Sequence, residues 1–242
     1  MTTNFYAPPS AFRGDRVVLP DDEARHARSV LRVDAGDELV VVDGEGGWYR
    51  VRLDHASSRQ VVGRVVERRR GVGEPDVALT VGLGLLSTRS RFETFVEKAV
   101  ELGVRRVVPL RTRHAEATDV RADRLRRVMV AALKQCRRSR LPELAAPQSL
   151  DALLTATAAE TRLLCHGDDE APPLLRVLEA SGTDDVLALV GPEGGFSPSE
   201  VAAAREAGCT PVSLGTRRLR AETAGIVAAN AVMLRAQPPA SA

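Results

Sequence analysis

Lysine is nearly missing from this sequence. Of 34 basic residues only Lys98 and Lys134 are lysines, and the rest are arginines. Aromatic side chains make up 3% of the chain. The three cysteines, Cys136, Cys165 and Cys209, are odd in number and far apart. They form neither a metal-ligand spacing nor a disulfide framework, which fits a reducing cytoplasm. No apolar run reaches the roughly 20 residues that span a bilayer. The first residues, Met1 to Tyr6, carry neither a basic n-region nor an apolar h-region, so they do not read as a signal peptide.

What is present is ordinary in amount and uneven in placement. The 242 residues are 44% hydrophobic and 27% charged, typical of a soluble globular chain of one large or two smaller domains. The net charge of +2 divides into +1 over residues 1–72, +6 over 73–148 and −5 over 149–242. The plain reading of arginine over lysine is codon usage in a GC-rich genome, because alanine and glycine are also abundant. It does not account for a basic middle and an acidic end. A basic stretch of this kind suits phosphate contacts.

Residues 1–72 read as short strands, at 17–19, 38–43, 48–53 and 60–66, separated by turns at Asp34–Asp37 and Gly44–Gly47. A helix from Asp21 or Asp22 to Leu31 interrupts them. The spacing suggests a small barrel, and the charged run Glu67–Pro75 reads as a linker. From residue 76 strands and helices alternate. Strands fall at 77–83, 104–110, 161–165, 186–190 and 211–214. Helices fall at 92–102, 123–137 and near 172–180, 198–207 and 221–236. This order implies a largely parallel sheet between helices. The division is therefore residues 1–72 and 73–242, with the tail Gln237–Ala242 expected to be disordered.

Two loops carry the sharpest signal. The apolar strand Val186–Val190 runs into Gly191-Pro192-Glu193-Gly194-Gly195-Phe196 and then a helix with Ser197 as N-cap, Pro198 at N1 and Glu200 completing a capping box. Loops at the carboxyl ends of parallel strands are where open α/β sheets bind ligands. Glu193, with no lysine nearby, argues against a phosphate cradle and for a cofactor that is cationic or rich in donors. An ordinary β–α turn is the plain alternative. The second loop, Leu214 to Gly225, joins a strand to an alanine-rich helix. In it Arg217, Arg218 and Arg220 are either a solvated charge run or, for Arg220 above all, functional.

Together these loops resemble the bacterial 16S ribosomal RNA (uracil-N3)-methyltransferase family of the trefoil-knotted methyltransferase superfamily. The resemblance extends to Glu97–Val104, to Gln135-Cys136-x-Arg138-x-Arg140-x-Pro142 and to His26-x3-Val30-Leu31-Arg32, and so covers nearly the whole chain. Related ribose methyltransferases share a Gly-x-Glu loop but differ where this chain has Leu214-Gly215-Thr216-Arg217-Arg218-Leu219-Arg220. Lys134 and Arg137 depart from the pattern, in which an acidic residue and glycine are frequent.

The resemblance implies a PUA-like β-barrel followed by a knotted α/β methyltransferase domain, working as a homodimer. It implies transfer of a methyl group from S-adenosylmethionine to N3 of a uridine in 16S rRNA within the small ribosomal subunit, in the cytoplasm. His166, Gly191, Pro192, Glu193, Gly194, Leu214, Gly215, Leu219 and Ala224 are the expected cofactor contacts. Arg220 is the candidate anion stabiliser or phosphate anchor. Glu222 is the candidate base, or else a carboxylate complementing the helix dipole. Arg32, Arg111, Arg138 and Arg140 are the candidate RNA contacts, and His26 and His114 read as surface or structural. No metal is expected. A non-catalytic RNA-binding assembly factor and a knotted enzyme acting on tRNA or ribose are the competing readings.

Overall fold

The computed structural model describes residues 4–57, 60–167, 170–182 and 184–236. The tail at 237–242 lies outside them. The chain divides into two compact units. One comprises residues up to Glu74 together with Met129–Leu141, and the other comprises Pro75–Val128 with the chain from Pro142 onward.

The first unit is built on a six-stranded sheet. Its strands are β1 (Phe5–Tyr6), β2 (Phe12–Arg13), β3 (Arg16–Val18), β4 (Glu38–Val42), β5 (Gly47–Ala56) and β6 (Val61–Arg70), in the order β1-β4-β5-β6-β3-β2. Only the β1–β4 pair is parallel. Helix α1 (Asp21–His26) passes directly into a π-helical turn over Ala27–Leu31. Along β5 the pleat turns Val51 and Leu53 inward and Arg50 and Arg52 outward. Phe5, Val17, Val41, Val51 and Val61 then close the core with Ala24 and Ala27. The β4–β5 turn is held by Asp43. Its Oδ1 accepts from the Glu45 and Gly47 amides at 2.7 and 2.8 Å, and its Oδ2 accepts from the Tyr49 hydroxyl at 2.9 Å.

Glu67 to Arg70 are not a linker. They continue β6 and pair with Gly47 to Arg50. Their charges are satisfied across the sheet rather than by water alone. Arg50 lies 2.8 Å from Glu67, and the Arg69 guanidinium stands 5.0 Å from the Trp48 ring centre.

The second unit carries a parallel sheet. Its strands are β7 (Ala78–Gly84), β8 (Arg106–Arg111), β9 (Glu143–Leu144), β10 (Gln148–Ser149), β11 (Thr161–Cys165), β12 (Asp185–Val190) and β13 (Thr210–Val212). The order is β10-β8-β7-β12-β11-β13, with β9 and β10 sharing the outer edge of β8. Val186 to Val190 are at most 2% exposed, as expected of a central strand covered on both faces.

Its helices are α2 (Arg89–Leu102), α3 (Ala122–Cys136), α4 (Leu150–Ala156), α5 (Leu174–Ser181), α6 (Pro198–Glu206) and α7 (Ala221–Arg235). Helix α3 is shared, its first residues belonging to this unit and its last to the other. Helix α2 buries Phe92, Phe95, Val96, Ala99 and Val100 and ends on Gly103 at φ 97°. Gly225 lets α7 pack on it, since a Cβ there would lie 2.7 Å from the Phe95 ring. Helix α4 was not anticipated. Its seven residues start on Ser149, whose hydroxyl accepts from the Ala152 amide, and they bury Leu150, Leu153 and Leu154.

Candidate functional site

The carboxyl ends of β12, β11 and β13 are neighbours, and the chain leaving them encloses a cleft of about 620 Å³. His166 and Gly167 enter it after β11, residues 191–196 after β12, and residues 213–219 after β13, with Ala221 and Ala224 of α7 closing one side. Of the residues singled out in the sequence, His166, Gly191, Pro192, Gly194, Leu214, Gly215, Leu219 and Ala224 all line this cleft. Phe196, Arg217 and Arg218 line it as well. Cys165 is also on its wall, and burial pushes its thiol up to about 12.

Glu193 is placed differently. It is not among the lining residues. Its carboxylate Oε1 accepts from the Ser87 amide at 3.2 Å and the Ser87 hydroxyl at 2.8 Å, in the segment between β7 and α2. Partial burial opposes its charge, but bonds from its own backbone and from Ser87, together with Arg91, outweigh burial and hold the carboxyl below its ordinary value. Glu193 therefore anchors the turn from behind.

A second anchor comes from the loop after β8. The Arg113 amide donates to Glu200 at 2.8 Å, and His114 Nδ1 lies 3.1 Å from the Gly194 carbonyl oxygen. The expected capping box is present, with Ser197 and Glu200 bonded reciprocally. The turn is thus fixed at both ends and along its back, which leaves its backbone to face the cleft.

Arg220 is the N-cap residue of α7, with extended backbone and an exposed side chain. Glu222, in the first turn of α7, is 8% exposed. Neither lines the cleft, although their neighbours Leu219, Ala221 and Ala224 do. The Glu222 Oε1 lies 3.8 Å from Arg91 Nε, while its Oε2 is buried without a hydrogen-bond partner. Arg91, which sequence reasoning passed over, sits in the first turn of α2 and also reaches to 3.7 Å from Glu193. No local pattern marks it, because its partners lie more than a hundred residues away.

The four candidate RNA contacts separate. Arg32 is exposed, with left-handed backbone at φ 55°. Arg111 is exposed and donates to the Thr118 carbonyl at 3.1 Å. Arg140 is half-buried, and its amide donates to Glu74. Arg138 is not available to RNA. It is 3% exposed and holds Glu74 through Nη2 at 2.7 Å and Nε at 3.2 Å, while the same carboxylate accepts from the Ser139 and Arg140 amides.

The two departures from the family pattern have local accounts. Lys134 pairs with the buried Glu23 at 2.5 Å. Arg137 sits at φ 63°, a backbone that glycine adopts without strain. Among the described residues no helix is long and apolar enough to cross a membrane, and no group of three His, Cys, Asp or Glu could hold a metal ion.

Comparison with known proteins places this architecture. Residues 73–233 match the RNA methyltransferase domain family, and residues 19–66 match the RNA methyltransferase PUA domain. A ribosomal RNA small subunit methyltransferase E of Mycobacterium bovis is 32% identical over 238 residues, covering 94% of this chain and 90% of its own. A probable rRNA-methyltransferase of Porphyromonas gingivalis superposes with a TM-score of 0.87 at 34% identity, covering 97% and 98% of the two chains. A ribosomal RNA small subunit methyltransferase E of Neisseria gonorrhoeae, solved bound to S-adenosyl methionine, gives 0.84 at 26% identity, covering 96% of each. The α/β architecture described above is thus a PUA domain at the N-terminus followed by an RNA methyltransferase domain. The chain belongs to the RNA methyltransferase family, in the branch of the small-subunit ribosomal RNA methyltransferases E.

Proposed function

We propose that this protein transfers the methyl group of S-adenosylmethionine to N3 of one uridine in 16S rRNA. It does so as a homodimer acting on the small ribosomal subunit in the cytoplasm. The observation that carries this reading is the single cleft into which both glycine-bearing turns, 191–196 and 214–224, fold together. Its volume of about 620 Å³ lies within the usual range of small-ligand sites, about 300–1,000 Å³. Its lining fits the donor. Gly191, Gly194 and Gly215 bring backbone, bare of side chain, to its wall. Leu214, Leu219 and Phe196 offer apolar surface for a base, and Arg217 and Arg218 offer positive charge for a carboxylate.

When bound, S-adenosylmethionine supplies an electrophilic methyl carbon on a sulfonium. The protein's part is first to hold that carbon in line with the attacking nitrogen, which is where most of the rate arises in a two-substrate displacement. Its second part concerns the proton. N3 of uracil carries an imide proton, and as the nitrogen–carbon bond forms and the sulfur–carbon bond breaks, that proton must leave. Glu222, in the first turn of α7 next to the cleft-lining Ala221, is the candidate base. Arg220, at the mouth of α7, is the candidate for steadying the developing imide anion or a neighbouring phosphate. N3 lies on the pairing edge, so the target is unpaired or flipped. Arg32, Arg111 and Arg140 remain candidates for the surrounding backbone.

The uracil assignment draws on the Leu214–Arg220 segment, which differs from that of the ribose enzymes. The test is nucleoside analysis of 16S rRNA from a strain lacking the gene, followed by treatment of its small subunits with the purified protein and S-adenosylmethionine. Loss and recovery of 3-methyluridine are expected. Persistence of 3-methyluridine in that strain, or a ribose-methylated or tRNA product, would sink the assignment.

A further inference from the structure

Glu222 poses a physical problem that the fold alone does not solve. Its Oε2 is buried with no partner, and it is the only carboxylate oxygen in that state among the described residues. A buried acceptor without a donor is costly, and such groups in folded proteins call for an explanation. Among the described residues the charged group paired with it is Arg91, at 3.8 Å from Oε1. The same guanidinium stands 3.7 Å from Glu193. Arg91 therefore lies between two carboxylates on different segments, one on the glycine turn and one on the first turn of α7. Both segments contribute to the wall of the cleft. Its side chain is 32% exposed, so solvent screens the contacts only in part. A planar fork of five donors can face two carboxylates at once, which an ammonium on a flexible stem does poorly.

We infer that Arg91 is a positioning residue for methyl transfer. Held by Glu193 and Glu222, it sets the 191–196 turn against the start of α7 and fixes the Glu222 carboxylate, the candidate base, next to the cleft-lining Ala221. The inference rests on the reading above, and the experiment separates the two.

Full-length Arg91→Met, Arg91→Lys, Glu222→Gln and Arg91→Met/Glu222→Gln proteins are compared with wild type. Three readouts are taken: thermal melting, S-adenosylmethionine affinity by calorimetry, and single-turnover methylation of unmethylated small subunits at saturating donor. Arg91→Met weakens donor binding by about fivefold, the scale of a partly exposed ion pair. It slows single turnover on the order of 100-fold, the scale of a misplaced catalytic group. Arg91→Lys recovers part of that rate, and the double variant is no slower than Glu222→Gln alone. A residue that only supported the fold would change melting and affinity together, with no rescue by lysine and no coupling to Glu222.

Wild-type rates in Arg91→Lys, or losses that multiply in the double variant, overturn the inference. Should Arg91→Met fail to fold, Arg91→Lys carries the same judgement. If wild type binds the donor yet transfers nothing to small-subunit RNA, the proposed reaction fails, and an unchanged affinity in the Arg91 variants then defeats the positioning role separately.

Discussion

Gly84 and Pro192 approach so closely that a Cβ on the glycine would lie 2.4 Å from both the Cδ and the N of the proline. The end of β7 is thereby pressed against the 191–196 turn, and only a residue without a side chain fits. Gly84→Ala is expected to destabilise the protein by about 1–3 kcal/mol, the usual cost of overpacking, and to weaken donor binding because the turn must move. Thermal melting and calorimetry read the two effects.

Gly194 meets His114 in the same way, with a Cβ placed 2.9 Å from the histidine Cβ. Gly194→Val should lower affinity for S-adenosylmethionine by about tenfold, equivalent to roughly 1.4 kcal/mol. Removing the histidine Cβ as well, in Gly194→Ala/His114→Gly, should recover part of the loss seen in Gly194→Ala. A double variant no better than the single would show that the clash is not the cause.

The Glu193 carboxyl sits below its ordinary value of 4.5 in the folded protein. A lowered folded value means that the ionised form stabilises the native state above pH 4.5. That contribution is lost as pH falls through the lower, folded value. Below about pH 4.5 the melting temperature of wild type should therefore drop more steeply than that of Glu193→Gln. Parallel curves would show that the bonds from Ser87 contribute nothing to stability.

Arg138 and Arg140 are two residues apart yet should behave oppositely. Arg138→Ala leaves the largely covered Glu74 without its cation, and a loss of about 3 kcal/mol is expected, with the salt slope of RNA binding unchanged. Arg140→Ala and Arg111→Ala should instead lower that slope by about 0.7 to 0.9 each where the side chain meets a phosphate. Melting curves and binding titrations over a range of salt separate the two behaviours.

What could be read from the sequence was what neighbours along the chain decide. The strand Val186–Val190 declares itself by a continuous apolar run. The helix after it declares itself by Ser197, Pro198 and Glu200, and the buried face of α2 by its spacing. Seven residues of α4 escaped notice, although Ser149, Asp151 and the Leu150, Leu153, Leu154 pattern were there to find, because so short a helix offers little periodicity. The strand Glu67–Arg70 was hidden by its charges, which are matched by residues on β5.

The misplacements at the site have one cause. Glu193 belongs to a glycine turn by sequence, but its partner Ser87 is 106 residues away. Arg138 sits in a basic stretch, but Glu74 is 64 residues away. Arg91 is unremarkable until the fold sets it beside two carboxylates. Pattern alone locates the turns, whereas the direction in which a charged side chain leaves them is decided by tertiary partners.

Cys165 on the cleft wall has a chemical consequence for the proposed reaction. Thiolates are good acceptors of alkyl groups, and a methyl sulfonium is an alkylating agent. Burial holds its thiol well above the ordinary range, so this sulfur stays protonated at neutral pH. The protonated form is a poor nucleophile. A protein built to present a reactive methyl group thereby spares its own sulfur from irreversible capture.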